Sequence, residues 1–402
     1  MKEVFDAAVS VVKKLQDAGH TTYFAGGWVR DFLMDHPSDD IDIATTASVQ
    51  QMEALFEKTI PVGIAFGILI IVEKGHHFEV ATFRTERGYV DGRRPSEVTP
   101  ATPEEDALRR DFTINGMYYD PLSDELIDYV EGKKDVKRKI LKAIGDPNER
   151  FKEDRLRMIR AVRYSARFSF SIEDDTWNAI KKHAHLLFPS VAIERVWNEF
   201  TKMSKYGNFD IALTMLQRLG LLDTIFPEYD SVVLDELQKR VAPIRNCPKN
   251  TPTILLLMHL FPNHTLEEQR KIGMYLKISK KEIKHIEDYT TTRKVLLSES
   301  PTPYHLVCAL AHPDSSLYLS VFAASLDIEK HAEFLQKFDE LKKKYASSID
   351  RIQKKIPLIS ADEFIALGVP KGPQLGKLIQ HADELAVNES LSKEDVLKKL
   401  GY

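Results

Sequence analysis

Two carboxylates stand two residues apart in the segment Asp40-Ile41-Asp42-Ile43, whose alternation of polar and apolar residues predicts a β-strand. Side chains at positions i and i+2 of a strand point to the same face, roughly 6.5–7 Å apart along the chain. Carboxylates placed in this way can share a pair of Mg²⁺ ions, one activating an attacking hydroxyl and the other stabilising a leaving pyrophosphate. The pair alone is weak evidence for metal-dependent nucleotidyl transfer, because two aspartates on an exposed strand face give the same pattern.

A glycine pair and an arginine precede these aspartates, in residues 25–31 (AGGWVRD). Gly26 and Gly27 remove side chains where backbone N–H groups would have to approach phosphate, and the helix predicted just beyond them would favour an anion at its start. Arg30, one turn into that helix, can pair with an oxygen of a triphosphate. A Gly-Gly turn is ordinary by itself, but its combination with Arg30 and the two aspartates favours a metal-dependent nucleotide site.

The whole run of residues 26–45 (GGWVRDFLMDHPSDDIDIAT) resembles the DNA polymerase β-like nucleotidyltransferase superfamily. More narrowly, it resembles the bacterial family that holds the tRNA CCA-adding enzymes, the A-adding enzymes and the poly(A) polymerases. The resemblance implies that Asp40 and Asp42 are the catalytic residues that bind the metal. Glu79, in the strand-like segment HFEVATF, could be a further acidic group near the metal, or could simply face water.

Residues 109–115 (RRDFTIN) resemble a second motif of the same family. The family uses this motif around the ribose of the incoming nucleotide. Arg110 and Asp111 occupy the matching positions, and Gly116 stands where alanine is common. A carboxylate that accepts a hydrogen bond from a 2′-hydroxyl is one way to require ribonucleotides over deoxyribonucleotides.

Residues 150–163 (RFKEDRLRMIRAVR) resemble the family's base-reading helix, with Tyr164 replacing the usual phenylalanine. The resemblance assigns base recognition to Asp154 and Arg157, and it places Arg160 and Arg163 close to the nucleotide. Cytosine and adenine each present an amino donor beside a ring-nitrogen acceptor, which match a carboxylate that only accepts and a guanidinium that only donates. Uracil and guanine reverse this pattern and would leave buried polar groups unpaired, at a cost of roughly 1–3 kcal/mol each. Protein side chains would then replace a template and admit only CTP and ATP.

The elements that must position these residues change in character along the chain. The first third alternates helical and strand patterns, with a helix near 3–18 and strand candidates at 67–73 and 77–83. The segment at 112–119 (FTINGMYY) is also strand-like. From about residue 147 helical spacing dominates, beginning with a helix expected over 153–168. We therefore expect an α/β head with a small mixed sheet, which the resemblance makes a polymerase β-like nucleotidyltransferase fold, followed by an all-α neck, body and tail. The expected boundaries are 1–145 for the head, 146–205 for the neck with the base-reading helix, 206–300 for the body and 301–402 for an RNA-binding tail.

Three further segments resemble parts of the same family. The polar stretch from about 85 to 105 resembles a flexible loop that helps CCA-adding members switch from C to A. Residues 191–199 (VAIERVWNE) resemble a fifth motif with a structural role in the neck, and residues 359–378 resemble the end of tRNA-handling members. The arginines of the loop region could touch nucleotide or RNA, or be solvated, and they are Arg84, Arg87, Arg93 and Arg94.

Composition excludes several classes of protein. The net charge of −4 argues against a uniformly basic coat for nucleic acid, although residues 131–170 carry thirteen Lys or Arg against six Asp or Glu. That segment could position a polyanion or be a solvated helical face. Cys247 and Cys308 form neither a CxxC pair nor a cluster, which argues against structural zinc or a disulfide scaffold and fits the cytoplasm. No apolar run approaches the roughly 18 residues of a membrane span, so no membrane partner is expected.

The sequence thus predicts a template-independent transferase that adds CCA to the 3′ end of tRNA from CTP and ATP with Mg²⁺. Two alternatives share the same head: an A-adding tRNA nucleotidyltransferase and a poly(A) polymerase. A third, from another class, is a catalytically silent RNA-binding protein, which the intact pair Asp40 and Asp42 disfavours. The oligomeric state stays open.

Overall fold

The computed structural model of the chain describes residues 2–36, 38–63, 67–89, 95–226 and 232–402. It comprises two compact units, Met1–Leu234 and Asp235–Tyr402, called here the first and the second unit. The boundary lies inside the segment expected to be the body. The division into head, neck, body and tail therefore stays a prediction.

Strands are confined, among the described residues, to the first unit. They are β1 (Thr22–Ala25), β2 (Asp42–Thr45), β3 (Thr59–Gly63), β4 (Ile68–Glu73), β5 (His76–Thr82), β6 (Arg84–Tyr89), β7 (Pro95–Pro100), β8 (Met117–Asp120), β9 (Glu125–Asp128), β10 (Ile140–Leu141) and β11 (Ser171–Ile172). One sheet has the order β3-β4-β5-β2-β1-β8-β9, while β6 pairs with β7 and β10 with β11. In the large sheet β2 runs parallel to β5 and antiparallel to β1, so the expected mixed sheet is confirmed.

Helices of the first unit surround and follow this sheet. They are α1 (Lys2–Asp17), α2 (Gly27–Leu33), α3 (Val49–Leu55), α4 (Pro103–Leu108), α5 (Gly132–Arg138), α6 (Pro147–Glu153), α7 (Leu156–Phe168), α8 (Asp174–His183), α9 (Ile193–Ser204), α10 (Phe209–Arg218) and α11 (Leu221–Ile225). The change from mixed to helical structure near residue 147 is the one that the sequence predicts.

The second unit is helical throughout its described residues. Its helices are α12 (Leu234–Val241), α13 (Thr253–Leu257), α14 (Leu266–Tyr275), α15 (Lys280–Leu297), α16 (Pro303–Leu310), α17 (Ser315–Ala323), α18 (Ile328–Lys344), α19 (Ala346–Gln353), α20 (Ala361–Ala366), α21 (Pro373–Glu389) and α22 (Lys393–Lys399). Cys247 and Cys308, in this unit, are both free thiols. No single helix in the described ranges is long and apolar enough to cross a membrane; only α16 and α17 reach that length and hydrophobicity together, with a bend of 108° between them.

The core of the large sheet explains why its first helix forms. The buried side chains of α1 recur every three or four residues and are those of Ala7, Ala8, Val11, Val12 and Leu15. They belong to one hydrophobic cluster with Phe24 of β1 and Ile43 of β2. Because each large apolar side chain contributes roughly 1.5–3 kcal/mol when fully buried, this stripe holds α1 against the strands that carry the candidate site.

Four local predictions need correction. Asp40 lies before β2, which begins at Asp42. The segment FTINGMYY is a strand only from Met117, because residues 113–115 form a 3₁₀ turn. The single helix expected over 153–168 is interrupted at Asp154, whose backbone is extended (φ −141°, ψ 104°). The expected loop at 85–105 contains the antiparallel strands β6 and β7, joined in part by a hydrogen bond of 2.8 Å between the hydroxyls of Thr85 and Thr99.

Candidate active site

Three carboxylates gather where β2 begins. The parallel register of Ile43 with Val80 brings the preceding residues, Asp42 and Glu79, side by side on neighbouring strands. Loss of hydration, together with the negative charges of Asp40 and Glu79, raises the pKa of Asp42 to about 6 against the opposing charge of Arg110. Glu79 therefore lies within electrostatic reach of the pair. A cation bound among carboxylates that repel one another in this way would stabilise their ionised forms.

The donor set at this place fits a divalent metal that shares its ligands with a substrate. Among the described residues, no group of three or more His, Cys, Asp or Glu side chains could hold a metal by itself. Magnesium, however, is commonly bound by one or two carboxylates and completed by water and substrate phosphates. Asp40 and Asp42 offer the hard oxygen ligands for that kind of site, and the positive charge that partly opposes the rise in the pKa of Asp42 is that of Arg110.

Gly26 is the residue that lets the groups of this site approach one another. Its φ is +66°, its N–H donates to the carbonyl of Met117 at 3.3 Å, and it precedes α2. A Cβ atom here would lie 3.2 Å from Nη1 of Arg110 and 3.9 Å from Oδ2 of Asp42. Only glycine combines this backbone conformation with an open gap between a guanidinium and a carboxylate. Gly27, the next residue, is the first of α2.

Arg110 is fixed by a buried acid that sequence reasoning missed. Asp106, on α4, is only 1% exposed, and its Oδ2 accepts hydrogen bonds from Nε of Arg110 at 3.1 Å and from the hydroxyl of Tyr118 at 2.6 Å. Burial opposes ionisation of Asp106, but the charges of Arg110 and Arg109 outweigh it and hold the pKa at about 2. The spacing of Asp106 from Arg109 and Arg110 (i+3 and i+4) was the available sign of this pairing.

Asp111 is the centre of a second buried network. Its Oδ2 accepts from Nε and Nη2 of Arg160 at 2.9 and 2.5 Å, and its Oδ1 accepts from the N–H of Phe112 at 2.8 Å and from Asn115 at 3.2 Å. Burial again opposes ionisation, but Arg160 and these hydrogen bonds lower the pKa of Asp111 to about 2. All four acceptor directions of the carboxylate are thus in use. The structure joins the predicted ribose motif to α7 through this ion pair.

Arg30 takes part in the same network from α2. It is 3% exposed, donates to Asp31 at 2.7 and 2.9 Å and to Oδ1 of Asn115 at 2.5 Å, and lies 4.5 Å from the ring centroid of Phe168. Its donors are therefore directed into the protein, where they tie α2 to Asn115 and α7. A contact between Arg30 and a triphosphate stays a prediction, and it would require some of these bonds to be exchanged.

Asp154 lies at the break between α6 and α7. Its Oδ1 accepts from the N–H of Leu156 at 3.0 Å, and its Oδ2 accepts from Nη2 of Arg195 at 3.2 Å. Arg195, on α9, leaves its Nη1 buried without a hydrogen-bond partner among the described residues. The carboxylate is therefore held by one backbone donor and one arginine from the fifth-motif segment.

Arg157 and Arg163 are buried on α7. Arg157 donates to Oε2 of Glu153 at 2.7 Å and to the carbonyl of Arg109 at 3.1 Å, so it also joins α7 to the ribose motif. Arg163 donates to Glu199 of α9 at 2.5 Å. The structure thus joins Arg157 and Arg160 of α7 to Arg109 and Asp111, while Arg163 pairs with α9. The backbone N–H of Arg157 donates to the carbonyl of Asp154 at 3.1 Å, but no hydrogen bond joins their side chains.

The arginines of the predicted loop are only partly accounted for. Arg84 begins β6, and its backbone N–H donates to Asp106 at 3.2 Å while its side chain donates to Glu86 at 2.8 Å. Arg87 lies on β6. The prediction for Arg93 and Arg94 falls outside the described residues.

Comparison with known proteins identifies similar sequences and structures. The model of the poly A polymerase head domain matches residues 22–142, and that of a probable RNA and SrmB-binding site of polymerase A matches residues 169–232. A CCA-adding enzyme of Pediococcus pentosaceus is 31% identical over 98% of this chain and 97% of its own. One of Streptococcus uberis is 43% identical over 52% of each chain, so the chain matches only about half the length of that relative. The crystal structure of the Bacillus stearothermophilus CCA-adding enzyme in complex with CTP superposes with a TM-score of 0.81 at 27% identity, covering 100% of this chain and 98% of the other.

Proposed function

This chain belongs to the family of the CCA-adding enzymes, and on that premise we propose that it adds C, C and A to the 3′ end of tRNA, using CTP and ATP. The observation that carries the proposal is the cluster of Asp40, Asp42 and Glu79, where burial and the repulsion from its two neighbours raise the pKa of Asp42 to about 6 beside the fixed guanidinium of Arg110. A silent RNA-binding protein would have no use for this charge arrangement. The similar protein of known structure that holds CTP supports a cytidine nucleotide as one substrate.

The proposal includes Mg²⁺, held by Asp40 and Asp42 and completed by the phosphates of the nucleotide. When bound, such ions activate the 3′-hydroxyl of the RNA and neutralise the departing pyrophosphate. Arg110 lies beside Asp42 and is fixed by Asp106, so its remaining N–H groups can receive a phosphate oxygen without reorganisation. Gly26 leaves the space in which that oxygen would sit.

Base selection is proposed for Asp154 and Arg157, because both keep unused hydrogen-bonding capacity. A carboxylate has about four acceptor sites, of which Asp154 uses two; a guanidinium has five N–H donors, of which Arg157 uses three. The existing bonds can therefore hold both side chains in place while their free positions meet the amino group and the ring nitrogen of cytosine or adenine. Uracil or guanine would instead place a carbonyl acceptor against the carboxylate of Asp154 and a ring N–H donor against the guanidinium of Arg157.

The neighbouring pair Asp111 and Arg160 is proposed to lie at the ribose. Because every acceptor direction of Asp111 is occupied, a 2′-hydroxyl can bind this carboxylate only by replacing one of its present donors. The side chain of Arg160 is 30% exposed to solvent, so Arg160 is the more accessible member of the pair. We place the reaction in the cytoplasm, where both cysteines remain thiols.

End-sequencing of the products tests the proposal. Purified protein is incubated with Mg²⁺ and with tRNA that lacks CCA, ends in C or ends in CC, and CTP and ATP are supplied singly and together. Completion of CCA on the first tRNA is the expected result, and Asp40→Ala should abolish it. Addition of A only to the CC-ended tRNA would identify an A-adding enzyme, and long A tails a poly(A) polymerase. Absence of incorporation on every RNA would refute transferase activity.

A further inference from the structure

A cavity of about 220 Å³ lies within the second unit, remote in sequence from every residue of the candidate active site. Side chains of α12, α14 and α15 and of the turn after α13 line it. All the charged side chains of its lining are basic, namely Lys239, Arg240 and Arg293. The uncharged polar residues of the lining are His259, Gln269, Tyr289, Thr290 and Ser325. A cavity that collects cationic side chains inside a protein of net charge −4 requires an explanation.

The positive charges of this cavity are incompletely balanced by the protein. Arg240 donates to Oε1 of Glu236 at 3.1 Å and to the carbonyl of Leu260 at 3.3 Å. Arg293 makes one hydrogen bond, to the carbonyl of Pro262 at 3.4 Å, which leaves most of its N–H donors unused. Within the described part of the second unit, neither Arg293 nor Lys239 has a carboxylate at ion-pair distance. Three cations against one carboxylate leave two positive charges uncompensated.

Two of the uncharged polar groups of the lining, those of His259 and Tyr289, add donors. Burial, followed by the charge of Arg293, lowers the pKa of His259 to about 4, so its ring is neutral at pH 7 and has one N–H to donate. Burial raises the pKa of Tyr289 to about 12, so the phenol keeps its proton. Neither group has a protein hydrogen-bond partner among the described residues. The cavity thus combines cations, an N–H and an O–H, and it lacks a free carboxylate.

This combination is complementary to a polyoxygen anion. A guanidinium pairs with two oxygens of a phosphate in a fixed fork, and an ammonium adds a point charge. A carboxylate ligand has two oxygens and one charge, so it would leave part of this donor set unsatisfied, whereas a phosphate offers more acceptors and up to two charges. We propose that the cavity binds a phosphate group, supplied either as free phosphate or by the backbone of an RNA. The site does not depend on the proposed transferase activity, since its binding can be measured without any transfer.

Calorimetric titration of the full-length protein with inorganic phosphate, at constant ionic strength set with chloride, tests the site. Wild-type protein should show saturable binding. Arg293→Gln should weaken that binding tenfold or more, and Lys239→Gln should weaken it while preserving the fold, because Lys239 is exposed at the surface of the unit. The matched control is Lys354→Gln, which removes the same charge from an exposed pair with Asp350 outside the cavity and should have no effect.

A second arm distinguishes the two sources of phosphate. If RNA supplies the group, both cavity variants should weaken tRNA binding and reduce the slope of log K against log salt by about one for each lost phosphate contact, with Lys354→Gln unchanged. If free phosphate is the ligand, tRNA binding stays at the wild-type level while phosphate binding is lost. The proposal is overturned if wild-type protein binds no phosphate and Arg293→Gln binds tRNA normally, or if Arg293→Gln and Lys354→Gln behave alike in both arms. Thermal melts of each variant show whether the fold is intact.

Discussion

Replacing Asp111 by Asn should lower the free energy of unfolding of the first unit by about 3 kcal/mol at neutral pH. The fall in the pKa of Asp111 from 3.8 to about 2 corresponds to about 2–3 kcal/mol of stability. Removing one member of a buried ion pair costs roughly 3–5 kcal/mol, because the other charge stays buried alone. The side chain of Arg160 is 30% exposed, so water can solvate part of its charge once Asp111 is replaced. The lower end of that range therefore applies.

Urea unfolding, monitored by tryptophan fluorescence, measures the free energy of unfolding of the first unit. The three tryptophans, Trp28, Trp177 and Trp197, all lie in the first unit. The control is Asp17→Asn, which breaks the exposed pair with Lys13 and should cost at most about 1 kcal/mol.

Two further measurements separate the ion pair from a local packing effect. The pKa of Asp111 is depressed, so its contribution is present above pH 4 and is lost as the pH falls towards 2; the gap between wild type and Asp111→Asn should close over that range. The double variant Asp111→Asn/Arg160→Gln should lose less than the sum of the two single variants, because it leaves no unpaired charge. A loss no larger than that of the Asp17 control, or strict additivity in the double variant, would refute the reasoning.

The remaining predictions concern the reaction. At limiting Mg²⁺, transfer should rise between pH 5 and 7, because Asp42 binds a cation only when ionised and its pKa is about 6; Glu79→Gln should shift this rise to lower pH. A rate independent of pH over that range would contradict the assignment. Gly26→Ala should reduce kcat at least tenfold, whereas Gly376→Ala, whose Cβ meets nothing within 4 Å, should leave it unchanged. Asp154→Ala should increase incorporation of UTP and GTP relative to CTP and ATP, and full retention of discrimination would exclude a base-reading role.

Elements with a buried apolar face were predictable from the sequence. The spacing of Ala7, Val11 and Leu15 predicts α1, and β-branched runs predict β4 and β5, because burial selects residue types with the period of the backbone. The sequence does not predict the strands β6 and β7, because this selection by burial is absent there. Their paired residues, such as Thr85 and Thr99, are polar and carry no such period.

Candidate residues were predictable by type and spacing, but their contacts were not. Asp106 and Asp111 have the same formal charge and lie five residues apart, and only the fold shows that one secures Arg110 and the other Arg160. The sequence also does not distinguish an arginine that binds a phosphate from an arginine whose hydrogen bonds link two helices. Arg30 illustrates this, because its burial between Asn115 and Phe168 depends on α7, more than a hundred residues away.

The interruption at Asp154 shows how a helical pattern can conceal a site. Periodicity continues across residues 150–163, yet the carboxylate of Asp154 accepts the N–H of Leu156 and replaces a helical carbonyl as its partner. In a continuous helix this side chain would move with the surface of α7 and would have no such anchor. At the break, the backbone N–H and Arg195 of α9 fix the carboxylate from two directions. A carboxylate that selects between bases must keep its position when the base changes, because a mobile acceptor could adapt to either edge. The extended backbone at Asp154 and its hydrogen bond from Arg195 are therefore the features that support the proposal that this residue reads a base.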